Sequence, residues 1–248
     1  MKLFKYKPGF IIFGLGRSGS NLLRSLLNSH PKLYCDVELF NPRSHPVNNP
    51  WKIKLIYKLP LLFIMGKNLI HYNEMYGFKM FVWQHHKVEF ILKTLVRKGW
   101  KILHLKRINV LKQVFSLLIA KQVQRWVNTE PDYNPNEIYE MDPEMVLKTL
   151  RNYKSNHIQS ETLMKVIDHL EVIYEYDLKK EGSWQKTAIK IFDFLEIENT
   201  EVIAGTYLTD QRSDQERIAN FDEIITHLIQ NGFKEEVDIY YRCENQKV

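Results

Sequence analysis

Phe10-Ile11-Ile12-Phe13-Gly14-Leu15-Gly16-Arg17-Ser18-Gly19-Ser20-Asn21-Leu22-Leu23 joins a short apolar run to a glycine turn and the start of an amphipathic segment. The uninterrupted apolar run Phe10 to Phe13 suits a strand covered on both faces. Beyond the turn, Leu22, Leu23, Leu26 and Leu27 recur at helical spacing, with Arg24, Ser25 and Asn28 opposite, and His30-Pro31 ends the pattern. Strand, glycine turn and helix form the arrangement that cradles phosphate, because turn N–H groups and the positive end of the helix dipole converge on one point. Gly14 and Gly19 have the G-x-x-x-x-G spacing of a nucleotide loop, yet Ser20 and Asn21 stand where that motif has Lys and a hydroxyl residue. The lysine would reach the outer phosphates and the hydroxyl would hold Mg²⁺, so phosphoryl transfer is disfavoured. Arg17, earlier in the turn, is placed to meet the reacting end of a nucleotide with a single 5′-phosphate. A short glycine motif alone is better read as a turn without a ligand, and the rest of the chain has to decide.

Working outward, Lys32 to Phe40 reads as a second strand that ends near Glu38, and 41–77 as a long excursion with one or two helices. Gly77 to Trp83 reads as a strand, Val88 to Lys98 as a helix closed by Gly99, and Ile102 to Leu105 as a strand. Asn109 caps a helix expected to run to about Trp126. Residues 127–143 are acidic and read as a loop. Asp142-Pro143 opens a helix expected to reach about Leu170, followed by a strand Glu171 to Tyr176. A helix Ser183 to Leu195 should turn Ile189, Phe192 and Leu195 inward, and another spans Phe221 to Gln230, ended by Gly232. Strands alternating with helices imply an α/β fold: a P-loop-type central parallel sheet flanked by helices, with helical elaborations, as a single domain over 1–248.

The 248 residues, 44% of them hydrophobic, are enough for a real core. A net charge of +6 suits a polyanionic ligand without naming one. Lys and Arg are spread along the chain rather than gathered in a stripe with interleaved aromatics, which argues against a nucleic-acid partner. Cys35 and Cys243 lie outside any metal-type spacing and fit a reducing compartment. The apolar run behind the basic start is too short for a signal core, and Leu59 to Met65 too short for a transmembrane span. These features together point to a cytoplasmic protein.

Arg17-Ser18-Gly19-Ser20-Asn21-Leu22-Leu23 after an apolar strand resembles the 5′-phosphosulfate loop of sulfotransferases that use 3′-phosphoadenosine-5′-phosphosulfate (PAPS). The arginine resembles the bacterial lipopolysaccharide and glycolipid members more than the animal enzymes, which use Lys. Asn21 stands where a hydroxyl is commoner, and its amide still donates. Leu105 to Ser116, with Arg107 at a strand end and Ser116 in the next helix, resembles the family's 3′-phosphate segment. An Arg forks onto a phosphate and a hydroxyl adds a second bond. Ile173 to Leu178 resembles the strand beside the adenine, and Ile218 to Ile224 a late segment of bacterial members.

The resemblance implies PAPS as donor, held by Gly16, Arg17, Ser18, Gly19, Ser20, Asn21, Leu22, Arg107 and Ser116, with no metal required. Arg17 would meet charge on the leaving phosphate. Glu38, followed by Leu39 and Phe40, matches the bacterial members' base; the animal enzymes use a His instead. His104 reads as a satisfied core histidine, and His85 and His86 as loop residues that rank behind Glu38 as bases. The expected partner is a small-molecule or glycan acceptor, a carbohydrate or glycolipid hydroxyl, with Trp51, Tyr57, Tyr72, Tyr76 and Trp83 available to stack on a ring. The competing readings are an atypical P-loop small-molecule kinase, which would need a Lys near Ser20, and a non-catalytic sulfotransferase-like binding protein.

Overall fold

The computed structural model describes residues 7–41, 56–124, 137–205 and 212–245. Five strands, β1 (Phe10–Gly14), β2 (Leu33–Glu38), β3 (Met75–Phe81), β4 (Lys101–Lys106) and β5 (Leu170–Ile173), form one sheet in the order β2-β3-β1-β4-β5. Every pairing is parallel. All residues of β1 are buried, as expected of the central strand of a sheet with helices on both faces. Its side chains alternate between two cores. Phe10 and Ile12 enter one, formed with α1 (Ser20–Asn28) and α6 (Trp184–Leu195). Ile11 and Phe13 enter the other. That second core is built by α2 (Pro60–Ile70), α3 (Val88–Arg97), α4 (Val110–Gln122), α5 (Pro143–Met164), α8 (Phe221–Gln230) and α9 (Lys234–Asn245). A short turn of helix, α7 (Asp214–Arg217), precedes α8.

β1 lies between β3 and β4, and the chain leaves it toward both edges of the sheet. A crevice opens at the carboxyl ends of the strands at such a reversal, where ligands bind in open parallel sheets. Gly14, Glu38, Phe81 and Lys106 are the last residues of β1, β2, β3 and β4. The turn after β1 and the residues after β4 therefore meet at one edge.

The elements agree closely with the pattern reading, and the departures have local causes. Asn109 caps α4 by accepting from the Lys112 N–H (2.9 Å), and Asp142 caps α5 ahead of Pro143. α5 ends at Met164, short of Leu170, in a Val166-Ile167-Asp168 stretch of poor helix formers. β5 ends at Ile173 rather than Tyr176, because Tyr174–Leu178 coils into a π-helical turn. Asp177 takes the Ile173 N–H (2.6 Å), and the Lys179 N–H bonds the Tyr174 carbonyl (2.8 Å). In α6, Ile189 is 38% exposed; Ala188, Ile191, Phe192 and Leu195 are the residues turned inward. α2 lies within the 41–77 excursion; α7 opens on the capping box Ser213-Asp214-Gln215-Glu216, a start signal the pattern reading did not use, and α9 carries no clear sequence signal. Trp51, Trp126 and most of the 127–143 loop lie outside the described residues.

Candidate active site

The turn after β1 is held in a conformation that few residues adopt. Gly19, the N-cap of α1, has φ 87°, and Arg17 has φ 62°. Glycine accepts the left-handed region without cost, whereas a non-glycine residue there is held by its surroundings. A Cβ on Gly19 would sit 2.5 Å from Tyr174 Cδ2, and one on Gly14 2.2 Å from the Leu105 carbonyl oxygen. The loop is thus pressed against β4 and the π-turn. Its carbonyls are tied from outside. Arg107 Nη1 donates to the Arg17 carbonyl (2.8 Å), Gln113 Nε2 to the Gly16 carbonyl (3.2 Å), and Ser18 Oγ to the Leu15 carbonyl (2.6 Å). α1 begins without a side-chain cap, so its positive end faces the loop without a side-chain oxygen to meet it.

Arg17 and Ser116 stand 99 residues apart in the chain, and Arg17 Nε donates to Ser116 Oγ at 2.9 Å. Burial lowers the pKa of Arg17; Tyr153 opposes the shift, while the charges of Arg107 and Arg217 add to it. Crowded, partly desolvated guanidinium groups are stabilised by an anion between them. Arg107 is itself stacked on the Tyr174 ring, 4.4 Å from its centroid. Its buried Nε has no hydrogen-bond partner among the described residues, since Glu175 Oε1 at 3.7 Å is an ion-pair neighbour too distant for one. Glu175 instead accepts from the Ile108 and Asn109 N–H groups (2.9 and 3.0 Å), fixing the turn that carries Arg107. A buried donor with open capacity beside a second arginine is what a phosphate oxygen would satisfy.

Glu38 ends β2. Its Oε2 accepts from Asn41 Nδ2 and Gln84 Nε2, both at 2.9 Å, and its Oε1 faces Lys79 Nζ at 3.7 Å. Lys79, on β3, is 3% exposed and donates to Asn21 Oδ1 at the start of α1. Burial lowers its pKa, and Glu38 pulls it back up. Lys79 therefore connects the loop helix to the carboxylate that ends β2. A lysine in an otherwise apolar strand that ends near a candidate acid is the signal that was available.

The structure thus brings Gly16, Arg17, Ser18, Gly19, Ser20, Asn21 and Leu22 into one loop and helix start, with Arg107 and Ser116 joined to Arg17, and Glu38 joined to Asn21 through Lys79. Lys79 and Tyr153 are neighbours that the motifs did not contain, Gln113 lies inside the Leu105 to Ser116 segment without a role assigned to it there, and Trp83 is one of the aromatics expected near the acceptor. Trp83 and the Tyr153 hydroxyl lie 3.5 and 3.7 Å from a Cβ built on Gly16. His85 is buried, with Nε2 on the Tyr57 carbonyl (3.2 Å) and Nδ1 accepting from the Lys87 N–H (3.0 Å). His104 departs from expectation: Nε2 meets Ser160 Oγ at 2.9 Å, but buried Nδ1 has no partner among the described residues.

No protein-family model matches the chain. Nodulation protein H of Rhizobium tropici is 31% identical over 134 residues, which is 50% of this chain and 51% of that protein. The chain thus spans about half the length of that curated relative. Among solved structures, a sulfotransferase from Alicyclobacillus acidocaldarius superposes with a TM-score of 0.51 at 14% identity, covering 98% of both chains. The sulfotransferase domain of the Synechococcus PCC 7002 olefin synthase gives 0.49 at 19% identity, over 88% of this chain and 82% of that one. Among the described residues no helix is long and apolar enough to cross a membrane. The chain has the fold of the Alicyclobacillus acidocaldarius sulfotransferase, and about half of it is similar in sequence to nodulation protein H.

Proposed function

We propose that this chain, as one domain over 1–248, transfers a sulfuryl group from PAPS to a hydroxyl of a carbohydrate or glycolipid acceptor. The observation that carries this reading is the Arg17–Ser116 hydrogen bond (2.9 Å). It joins the two segments that, apart, resemble a 5′-phosphosulfate loop and a 3′-phosphate segment.

In this reading the loop N–H groups and the start of α1 receive the 5′-phosphosulfate. Arg107 and Ser116 receive the 3′-phosphate, and the open Nε of Arg107 supplies a donor already aimed. Glu38 takes the proton of the acceptor hydroxyl while its oxygen bonds to sulfur and the bond from sulfur to the bridging phosphate oxygen breaks. Arg17 meets the charge that develops on the leaving phosphate. Lys79, linked to both Asn21 and Glu38, faces the transferring group and neutralises its oxygens. None of these steps uses a metal. The exposed Trp83 side chain beside Gly16 offers apolar surface for a sugar ring, with the buried Tyr153 ring packed against it.

The test is transfer of radiolabelled sulfur from PAPS to a panel of hydroxyl acceptors, with the glycans and glycolipids set against phenols and simple alcohols. Label should appear on a sugar hydroxyl without added Mg²⁺. Transfer from ATP in place of PAPS, or an absolute requirement for Mg²⁺, would favour the kinase reading instead.

A further inference from the structure

His104 lies one strand in from the sheet edge, on the face covered by α5, and its register partner on β5 is Glu171. Register partners on parallel strands present their side chains to the same face. His169 enters β5 just before Glu171, and its ring meets that of His104 edge-on with centroids 5.4 Å apart. One ligand-type atom from each of His104, His169 and Glu171 lies within 4.8 Å of the others.

We propose that His104, His169 and Glu171 form a binding site for one divalent transition-metal ion of the zinc type, at the junction of β4, β5 and the end of α5. The donor set of two imidazoles and a carboxylate is one that Zn²⁺ and its neighbours prefer. The hydrogen bonds select the nitrogens. His169 Nδ1 lies 2.8 Å from the Ile167 carbonyl, an acceptor, so Nδ1 carries the proton and Nε2 keeps a lone pair. His104 Nε2 is occupied by Ser160 Oγ, which leaves Nδ1 as the coordinating atom. That atom is the second, independent sign of a ligand: it belongs to a side chain 1% exposed and has no partner among the described residues. Histidine ligands characteristically bond a carbonyl or hydroxyl through the other ring nitrogen, as both do here.

The surroundings tolerate a cation. Lys106 Nζ bridges Glu161 and Glu171 (2.8 and 2.9 Å), so two carboxylates face one ammonium, and Glu161 retains the lysine if Glu171 turns to a metal. Ligand atoms bound to one zinc at about 2.0–2.2 Å must approach more closely than the present separation. His169 and Glu171, both half-buried, are the side chains that would move, Glu171 by leaving Lys106. An ion here would fasten β4, which leads into Arg107, to β5, which leads into Tyr174 and Glu175. It would act as a clamp on the fold, apart from the proposed transfer chemistry.

Chelator-stripped chain should bind one Zn²⁺ by calorimetry and raise its thermal midpoint on doing so. Co²⁺ in its place should give the visible absorption of a low-coordinate nitrogen and oxygen site. His169→Ala and Glu171→Gln should each weaken binding by about tenfold or more, at least the loss seen for an outer-shell change. His86→Ala and Cys243→Ser, which remove other soft donors, should leave affinity unchanged. Both ligand substitutions are at partly exposed positions, so the core stays intact. Absence of one-to-one binding by the unmodified chain, or unchanged affinity in His169→Ala and Glu171→Gln, would overturn the site whatever the outcome of the transfer assay.

Discussion

Glu38 spends one carboxylate oxygen on two amides and turns the other toward Lys79 at 3.7 Å. Under the proposed reaction, Glu38→Gln keeps this shape and removes the base. Turnover should fall by roughly two to four orders of magnitude, the usual worth of general base catalysis, with PAPS affinity nearly unchanged. Arg17→Ala should lower both turnover and nucleotide affinity, turnover more, because its charge meets the ground state as well as the leaving group. Lys79→Met should reduce turnover by about a hundredfold or more through lost charge stabilisation. Single-turnover rates and nucleotide titrations of the three variants separate these outcomes; near-normal turnover in Glu38→Gln with a confirmed acceptor would move the base elsewhere. Arg17 and Glu38 were legible in the sequence because each sits in a motif beside a strand end. Lys79 was not, because its partners Asn21 and Glu38 come from distant positions and only the sheet brings them to it.

The loop, the π-turn and α4 act as one device at the scale of elements. Gly19 has φ 87°, and a Cβ there would meet Tyr174 at 2.5 Å. Gly19→Ala should therefore lower the thermal midpoint and weaken nucleotide binding together, since both the φ and the contact resist the change. A substitution without effect on either would show the loop to be loosely held. The π-turn explains why the pattern reading carried β5 to Tyr176: apolar and aromatic residues alternate through Ile173-Tyr174-Glu175-Tyr176 as in a strand. What the alternation could not reveal is that Asp177 takes the Ile173 N–H and Glu175 takes two N–H groups after β4. Side-chain acceptors there replace the sheet ladder. The short apolar runs Phe10 to Phe13 and Ile102 to Leu105 were legible because strands buried on both faces are mostly apolar, His104 being the polar residue within these two runs.

For the whole molecule, the burial of His157 predicts a loss of stability toward acid pH. Burial lowers His157 to about 4 from an ordinary 6.5 while its Nε2 holds Gln113 Oε1 at 2.9 Å. The unfolded chain then binds a proton that the folded chain refuses, so stability falls as pH drops from 6.5 toward 4. His157→Gln keeps a donor for Gln113 and removes the titration, and should flatten that decline in thermal midpoint; an unchanged decline would place the acid sensitivity in other groups. The parallel sheet and its helical cover followed from the alternation of elements, while α9, which packs Val237 and Tyr240 into the core, was hidden by its high charge. Under the proposed function, the loop, Arg107 and Ser116 together read a nucleotide phosphorylated at both 5′ and 3′ positions. Calorimetry with 3′-phosphoadenosine-5′-phosphate, AMP and ADP measures it directly. The doubly phosphorylated nucleotide should bind at least about tenfold more tightly than AMP or ADP, the equivalent of about 1.4 kcal/mol. Arg107→Ala should erase most of that preference, whereas equal affinity for AMP and 3′-phosphoadenosine-5′-phosphate in the unmodified chain would contradict the claim.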